Sequence, residues 1–152
     1  MIEKLVTFND GVNITVPSST DDADRVLGKT LEVAFSIGVR QPITPPSHTY
    51  VSLVVADFDH SIDNFFPAAL YKELAEMAPK NGPAHALSFG FQFDPLMIER
   101  RPLAPGNPGF RIERREGFPY EANRYFSVAN MPTDKHLTLL EHFEAAAQNA
   151  KW

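Results

Sequence analysis

The predicted fold is organised around residues 29–57, which open with the sequence KTLEVAFSIGVR (residues 29–40). Large apolar residues occupy every second position of this opening run, from position 31 to position 39. Such alternation is typical of a strand with one buried face. A second β-rich run at residues 50–55 follows a proline-containing turn, so the sequence predicts a long antiparallel hairpin. A helix over residues 20–38 is the competing interpretation, but the alternation favours the strand.

Local patterns predict the remaining elements. An Asp-Gly pair at residues 10–11 joins two short apolar runs, which predicts an N-terminal hairpin over residues 5–16. Thr133 is close to the start of a C-terminal helix that carries Leu137, Leu140, Phe143 and Ala147 on one face. A further helix is predicted over residues 67–78, and further strands over residues 85–93, 96–101, 110–115 and 124–129.

These elements define the predicted fold class. It is α+β: an antiparallel meandering sheet with an N-terminal hairpin and a C-terminal amphipathic helix, plus a helix-containing insertion. The chain has 152 residues, a natural length for a single domain over residues 1–152. No apolar run approaches the length of a membrane span, so we expect no membrane partner.

Charge and cysteine content narrow the functional classes. The formal net charge of -5 argues only weakly against nucleic acid, because an acidic protein can still present a local basic face. The chain has no cysteine, which excludes disulfides and thiolate metal sites. No serine elbow, dinucleotide-binding or phosphate-binding motif is present in the sequence. The sequence therefore predicts no catalytic residues and no cofactor.

Asp57, Asp59 and His60 are the best candidate metal ligands. They bring carboxylate and imidazole groups close together in the sequence. The alternative is a charged strand end that caps the following helix. No second ligand group at a recognised spacing accompanies these residues, which favours the alternative. We therefore predict no metal site.

Arginine residues are concentrated between positions 100 and 124. Guanidinium groups bind phosphate well, so this region is a candidate anion site or polynucleotide contact. The alternative is that neighbouring glutamates pair with the arginines across strands and leave a balanced, solvated surface. The residues are Arg100, Arg101, Arg111, Arg114, Arg115 and Arg124, of which Arg100, Arg101, Arg114 and Arg115 form the candidate anion-binding set.

The order of several short motifs resembles that of a known family. The sequence NITVPS (residues 13–18) ends the predicted hairpin, and Val-Arg-Gln (residues 39–41) ends the predicted long strand. Tyr50 opens the answering strand, and the Thr-Asp pair (residues 133–134) leads into the terminal helix. This arrangement is similar to that of the coat proteins of single-stranded RNA bacteriophages.

The likeness covers roughly residues 4–56 and 122–150. Residues 57–121 are longer than the loop and strand that the family places there, so we interpret them as an insertion. The resemblance implies a symmetric dimer in which the terminal helix lies over the partner's sheet. Leu137, Leu140 and Phe143 of that helix would then form the dimer interface.

The resemblance also implies a binding surface for an RNA hairpin on one face of the sheet. Carried over to this chain, the candidate RNA contacts are Ser36 and Arg40 on the long strand, Thr49 near its partner strand and Tyr125 on the last strand. A base would stack on Tyr125, while Arg40 and the hydroxyl groups would contact phosphate or base edges.

The resulting expectation is a viral coat protein without catalytic activity. It would dimerise, self-assemble into an icosahedral shell in the host cytoplasm, contact genomic RNA and reside in the virion. One alternative is a small oligomeric protein that binds an anion or nucleotide through the arginine-rich region. The other alternative is a metal-dependent enzyme that uses Asp57, Asp59 and His60.

Overall fold

A computed structural model gives the fold and describes residues 1–8, 11–40, 47–65, 67, 69–70, 73, 90–93, 109–115 and 117–150. Two antiparallel sheets and two long helices make up the described chain, which confirms the predicted α+β class. In chain order the elements are β1 (Lys4–Thr7), β2 (Val12–Thr15), α1 (Thr20–Ser36), β3 (Ser52–Asp57), β4 (Gly90–Phe93), β5 (Phe110–Arg114), β6 (Arg124–Ala129) and α2 (Thr133–Asn149). Short 3₁₀ turns lie at Ile62–Phe65 and Tyr120–Ala122.

The strand predicted over residues 29–40 is wrong, because this segment belongs to helix α1 and the turn that ends it. Both ends of α1 carry helix signals. The Ser19 hydroxyl accepts a hydrogen bond from the backbone N–H of Asp22 at 3.3 Å. Gly38 adopts a φ of 98° and donates its N–H to the Phe35 carbonyl, while Val39 donates to the Ala34 carbonyl. These caps fix a helix where the alternation predicted a strand.

The alternating apolar residues of α1 lie on two opposite sides of the helix. Residues two positions apart in a helix are about 200° apart around its axis. Leu31 and Phe35 are accordingly half-buried, whereas Val33 and Ile37 are 61% and 77% exposed. The described residues of the chain therefore cover one apolar side of α1 and leave the other open.

Strands β1 and β2 form the predicted N-terminal hairpin. They pair antiparallel from Lys4 opposite Thr15 to Thr7 opposite Val12. Gly11 of the predicted turn is described and accepts a hydrogen bond from the Phe8 N–H at 2.8 Å, whereas Asn9 and Asp10 lie outside the described residues. The hairpin contacts α1 through β2.

The larger sheet has four described strands in the order β3-β6-β5-β4. All neighbouring pairs are antiparallel, and β4, β5 and β6 follow one another as a meander. The segment over residues 57–121 therefore supplies two strands of this sheet. The strands predicted over residues 110–115 and 124–129 correspond to β5 and β6. The strand over residues 96–101 and most of the helix over residues 67–78 lie outside the described residues.

The core lies between one face of this sheet and helix α2. Alternate residues of β3, β5 and β6 point toward the helix, and we call this side the inner face. The turn that follows β3 closes one end of the same core. The buried apolar residues are Phe58, Ile62, Phe110, Ile112, Tyr125, Ala129, Leu140, Phe143 and Ala147.

Two threonines join the N-terminal ends of α1 and α2. The Thr20 N–H donates to the Thr133 hydroxyl at 3.1 Å, and the Thr133 N–H donates to the Thr20 hydroxyl at 2.9 Å. Each threonine thus caps the other helix, which satisfies one orphan amide at each end. The Ser52 hydroxyl donates to the Thr133 hydroxyl at 3.4 Å, so β3 also reaches this junction.

Candidate interaction surfaces

Strand β3 carries exposed apolar residues on the sheet surface. It lies at one edge of the sheet among the described strands. Its inner-face residue Ser52 is 3% exposed, whereas Leu53 and Val55 on the opposite, outer face are 62% and 48% exposed. Val51, just before the strand, is also half-exposed. The edge and outer face of β3 are therefore apolar and open to a partner.

Asp57, at the end of β3, is held by Arg124 of β6. Both carboxylate oxygens accept hydrogen bonds from the guanidinium, at 2.5 and 2.6 Å. This contact holds the pKa of Asp57 below its usual range. His60 instead contacts helix α2, because its backbone N–H donates a hydrogen bond to the Glu144 carboxylate at 3.1 Å. Among the described residues no three histidine or carboxylate side chains are placed to hold a metal ion.

Arg114 lies at the centre of an aromatic stack. Its guanidinium carbon is 3.9 Å from the centroid of the Tyr120 ring and 4.9 Å from that of Tyr125. The guanidinium donates to the Tyr120 carbonyl at 2.6 Å, the Tyr125 hydroxyl at 2.8 Å and the Ser61 hydroxyl at 3.1 Å. Arg114 of the predicted anion-binding set is therefore committed to internal contacts.

The other arginines have different surroundings. Arg111 pairs with Glu113 on the same strand, and not across strands as the alternative interpretation of the arginine region predicts. Arg115 is exposed, and its guanidinium carbon is 5.9 Å from the centroid of the Phe118 ring. Arg100 and Arg101 lie outside the described residues. The described structure thus does not assemble the predicted anion-binding set at one place.

The four predicted RNA contacts are not gathered on one sheet face. Ser36 lies in the last turn of α1, where its hydroxyl donates to the Val33 carbonyl at 2.7 Å. Arg40 follows the end of α1, and Thr49 precedes β3; both are exposed. Tyr125 is 1% exposed, so the prediction that a base stacks on its ring is wrong. The ring points to the inner face, against Phe58 and Arg114.

Leu140 and Phe143 of the predicted dimer interface lie in the core of their own chain. They are 3% and 9% exposed and belong to the cluster that α2 forms with its own sheet. This packing corrects the prediction that both residues pack on a partner. Leu137 is 45% exposed and remains available at the surface.

Searches of protein-family models, curated proteins and solved structures found no match to this chain. Among the described residues, no helix is long and apolar enough to cross a membrane.

Ser127 and His136 form a buried pair in the core. The Ser127 hydroxyl donates its proton to the Arg111 carbonyl at 2.8 Å, so His136 Nε2, also at 2.8 Å, must donate to the Ser127 oxygen. His136 Nδ1 then carries no proton and has no partner among the described residues. Burial lowers the pKa of His136. Because Ser127 is 1% exposed, a substrate cannot reach this pair.

A shallow apolar groove runs along the open side of α1. It lies between the N-terminal segment and the helix, beside the exposed Val33. Leu5 and Phe8 of the hairpin are exposed as well, at 43% and 61%. The lining residues are Ile2, Arg25, Val26, Lys29, Thr30 and Val33.

Phe118 and Tyr120 are exposed aromatic residues that the sequence analysis missed. They lie in the β5–β6 loop (residues 115–123), where Gly117 and Asn123 adopt positive φ values of 81° and 44°. The signal was present in the sequence as two aromatic residues, Phe118 and Tyr120, within five positions of Arg115.

Proposed function

We propose that this protein is a structural subunit that dimerises and assembles into a closed shell around single-stranded RNA. This function follows the expectation raised by the likeness to bacteriophage coat proteins, with assembly in the host cytoplasm and residence in the virion. The observation that carries the proposal is the unprotected apolar edge of β3. The contacts proposed between subunits use surfaces that the described residues of the chain leave exposed.

The edge of β3 lacks the devices that normally prevent pairing with another chain. Natural edge strands carry lysine, proline, a bulge or an inward-pointing charge. Residues 51–56 read VSLVVA and contain neither a charged residue nor a proline. Strand pairing with a second copy would satisfy the backbone groups of this edge and cover its apolar outer face.

The sequence of this edge is self-complementary. In an antiparallel pair, residues directly opposite each other point to the same face of the sheet. A two-fold axis at Leu53 places Leu53 opposite the partner's Leu53 and Val51 opposite the partner's Val55. The outer-face pairs of Leu53, Val51 and Val55 in this register are apolar, Asp57 lies opposite the partner's Thr49, and no like charges meet. Two four-stranded sheets would then form one continuous sheet across an isologous interface.

A closed shell needs at least one further contact surface besides the dimer axis. The open side of α1, with Val33 and Ile37, and the exposed hairpin residues Leu5 and Phe8 provide a second apolar surface. This surface is separate in sequence from β3. The proposed assembly thus uses β3 within the dimer and the N-terminal elements between dimers.

The proposed dimer differs from the one that the resemblance implies. Helix α2 covers the sheet of its own chain, with Leu140 and Ala147 at 3% and 0% exposure. Exchange of terminal helices between subunits is therefore unnecessary to bury either core. The subunit in our proposal joins its partner by strand pairing alone.

The first test is size-exclusion chromatography with multi-angle light scattering, read at 260 and 280 nm. We expect a megadalton peak that carries nucleic acid. A monomer of 17.0 kDa without nucleic acid would refute the proposal.

The variant Leu53→Lys tests the role of β3. It places like charges opposite each other at the proposed two-fold axis and should abolish the large species. Leu53 is 62% exposed, so the free energy of unfolding should change by no more than about 0.5 kcal/mol. Ala145→Lys adds the same charge on the exposed side of α2 and should assemble normally. Normal assembly of Leu53→Lys, or equal loss in both variants, would contradict pairing at β3.

A further inference from the structure

The β5–β6 loop displays two aromatic rings at the end of the sheet. Phe118 and Tyr120 are 42% and 51% exposed. Only Pro119 separates them, and its φ of -56° and ψ of 146° are those of extended backbone. Both rings lie beside arginine side chains, which distinguishes them from isolated exposed aromatic residues.

Tyr120 is the exposed ring of a stack that includes Arg114. The Arg114 guanidinium lies between the rings of Tyr120 and the buried Tyr125. Hydrogen bonds to the Tyr120 carbonyl, the Tyr125 hydroxyl and the Ser61 hydroxyl hold this guanidinium in place. A planar ligand on the exposed part of Tyr120 would extend an existing stack, so little side-chain freedom would be lost on binding.

Phe118 has a similar arrangement on the other side of the loop. The Arg124 guanidinium carbon is 4.4 Å from the centroid of its ring, and two hydrogen bonds to Asp57 fix that guanidinium. Arg115 is 5.9 Å from the same centroid. The ring is thus positioned by groups that are themselves held by the sheet.

The charges of the loop favour a stacking ligand over a purely anionic one. Arg111 and Arg124 are paired with Glu113 and Asp57, whereas Arg115 forms no ion pair with the described residues. An acidic peptide would need several unpaired cations to bind here. A single-stranded nucleic acid needs fewer, because each stacked base contributes about 1–3 kcal/mol.

We propose that the β5–β6 loop is a binding site for single-stranded nucleic acid. Two bases stack on Phe118 and Tyr120, and Arg115 contacts a phosphate between or beside them. This inference rests on the RNA contact in the proposed function and assigns it to residues outside the four predicted contacts. Stacking on these rings is largely independent of base sequence, since every base has a π-face.

The test is fluorescence anisotropy with a labelled 12-nucleotide oligouridine. We expect Phe118→Ala and Tyr120→Ala each to raise the Kd about 5- to 150-fold, which corresponds to the stacking free energy of one base. Tyr120→Phe keeps the ring and should bind like the unmodified protein. Leu137→Ala removes a 45% exposed apolar side chain from α2, outside both proposed contact surfaces, and serves as the control.

Arg115→Gln tests the phosphate contact independently of the rings. It should lower the slope of log affinity against log salt concentration by about 0.7, the value for one phosphate on a single strand. Unchanged RNA affinity in both Phe118→Ala and Tyr120→Ala would refute the site. Displacement of the oligouridine by polyglutamate with the same total negative charge would also refute it. Circular dichroism of each variant checks that the sheet is intact.

Light scattering on the same samples separates this site from the proposed function. Particles that form normally while all loop variants bind RNA equally would refute the site and leave the shell proposal standing. Absence of particles together with RNA binding that depends on Tyr120 would refute the shell and support the site.

Discussion

The sheet region (β3 to β6 with α2) and the N-terminal region (β1, β2 and α1) differ in how completely they bury their apolar residues. All the fully buried apolar residues described in the chain belong to the sheet region or to the turn that follows β3. In α1 the single buried residue is Thr20, at the junction with α2. The sheet region therefore has its own core, whereas the N-terminal region exposes apolar surface that a monomer would be expected to bury.

We infer from this difference that the sheet region stabilises the fold and that the N-terminal region contacts other chains. A region with a closed core contributes most of the free energy of unfolding, because that energy scales with the apolar area removed from water. A region with a half-covered helix contributes less and keeps its apolar surface for contacts with other chains. Three pairs of variants can break or sharpen this comparison.

The largest effect is expected for Leu140→Ala in the core of the sheet region. Removal of a side chain that is 3% exposed should lower the free energy of unfolding by about 2–5 kcal/mol. Ile37→Ala removes a similar apolar side chain from the C-terminal cap of α1, where it is 77% exposed, and should change that energy by less than about 0.5 kcal/mol. Urea denaturation of both variants at low protein concentration measures the difference. Equal losses would show that the two regions are not distinct in burial.

An intermediate effect is expected at the junction between the regions. Thr133→Val keeps the shape of the side chain but removes the acceptor of the Thr20 N–H. Loss of this cap should cost about 1–2 kcal/mol. Thr138→Val is the control, because the Thr138 hydroxyl only donates to a carbonyl of its own helix on the exposed side. Hydrogen exchange should show faster opening of the first turn of α1 in Thr133→Val alone; equal exchange in both variants would argue against the junction.

The smallest effect is the pH dependence due to His136. Burial holds its pKa below the ordinary value of 6.5, so the folded state keeps the imidazole neutral while the unfolded chain takes up a proton. The stabilisation is complete above pH 6.5 and decreases as the pH falls below it. One proton can change the free energy of unfolding by at most about 1.4 kcal/mol per pH unit.

Urea denaturation between about pH 5 and pH 8 measures this slope. In His136→Gln the slope below pH 6.5 should be smaller than in the unmodified protein. His142→Gln removes an exposed histidine from the same helix and should keep the original slope. An identical slope in all three proteins would contradict a neutral, buried His136.

Elements with self-contained local signals were predictable from the sequence. The hairpin of β1 and β2, strands β5 and β6, and helix α2 all appear close to their predicted positions. The helix over residues 29–40 was not predicted, because nine residues of alternation competed with two capping signals. One of these signals, Ser19, lies outside the segment, and the other, Gly38, lies within it. The caps prevailed because they satisfy backbone groups at both ends of one 17-residue helix.

The candidate site was predictable only in part, for a reason visible in β6. Its sequence RYFSVA has aromatic or apolar residues at both odd and even positions, so alternation cannot tell which face is buried. The structure buries Tyr125, Ser127 and Ala129, whereas Phe126 and Val128 lie on the half-exposed outer face. Only the packing of α2 decides this choice, and that packing is a long-range property of the chain.

The alternating pattern within α1 has a consequence for how the chain reaches its fold. Before the helix forms, residues 31–39 present the apolar repeat of a strand with only Glu32 as a charged residue. Segments of this kind pair readily with copies of themselves. Newly made chains therefore face a kinetic competition between winding this segment into a helix and pairing it with neighbouring chains. Because the capping residues Ser19 and Gly38 favour the helix, we expect them to raise the yield of folded protein as well as to define the fold.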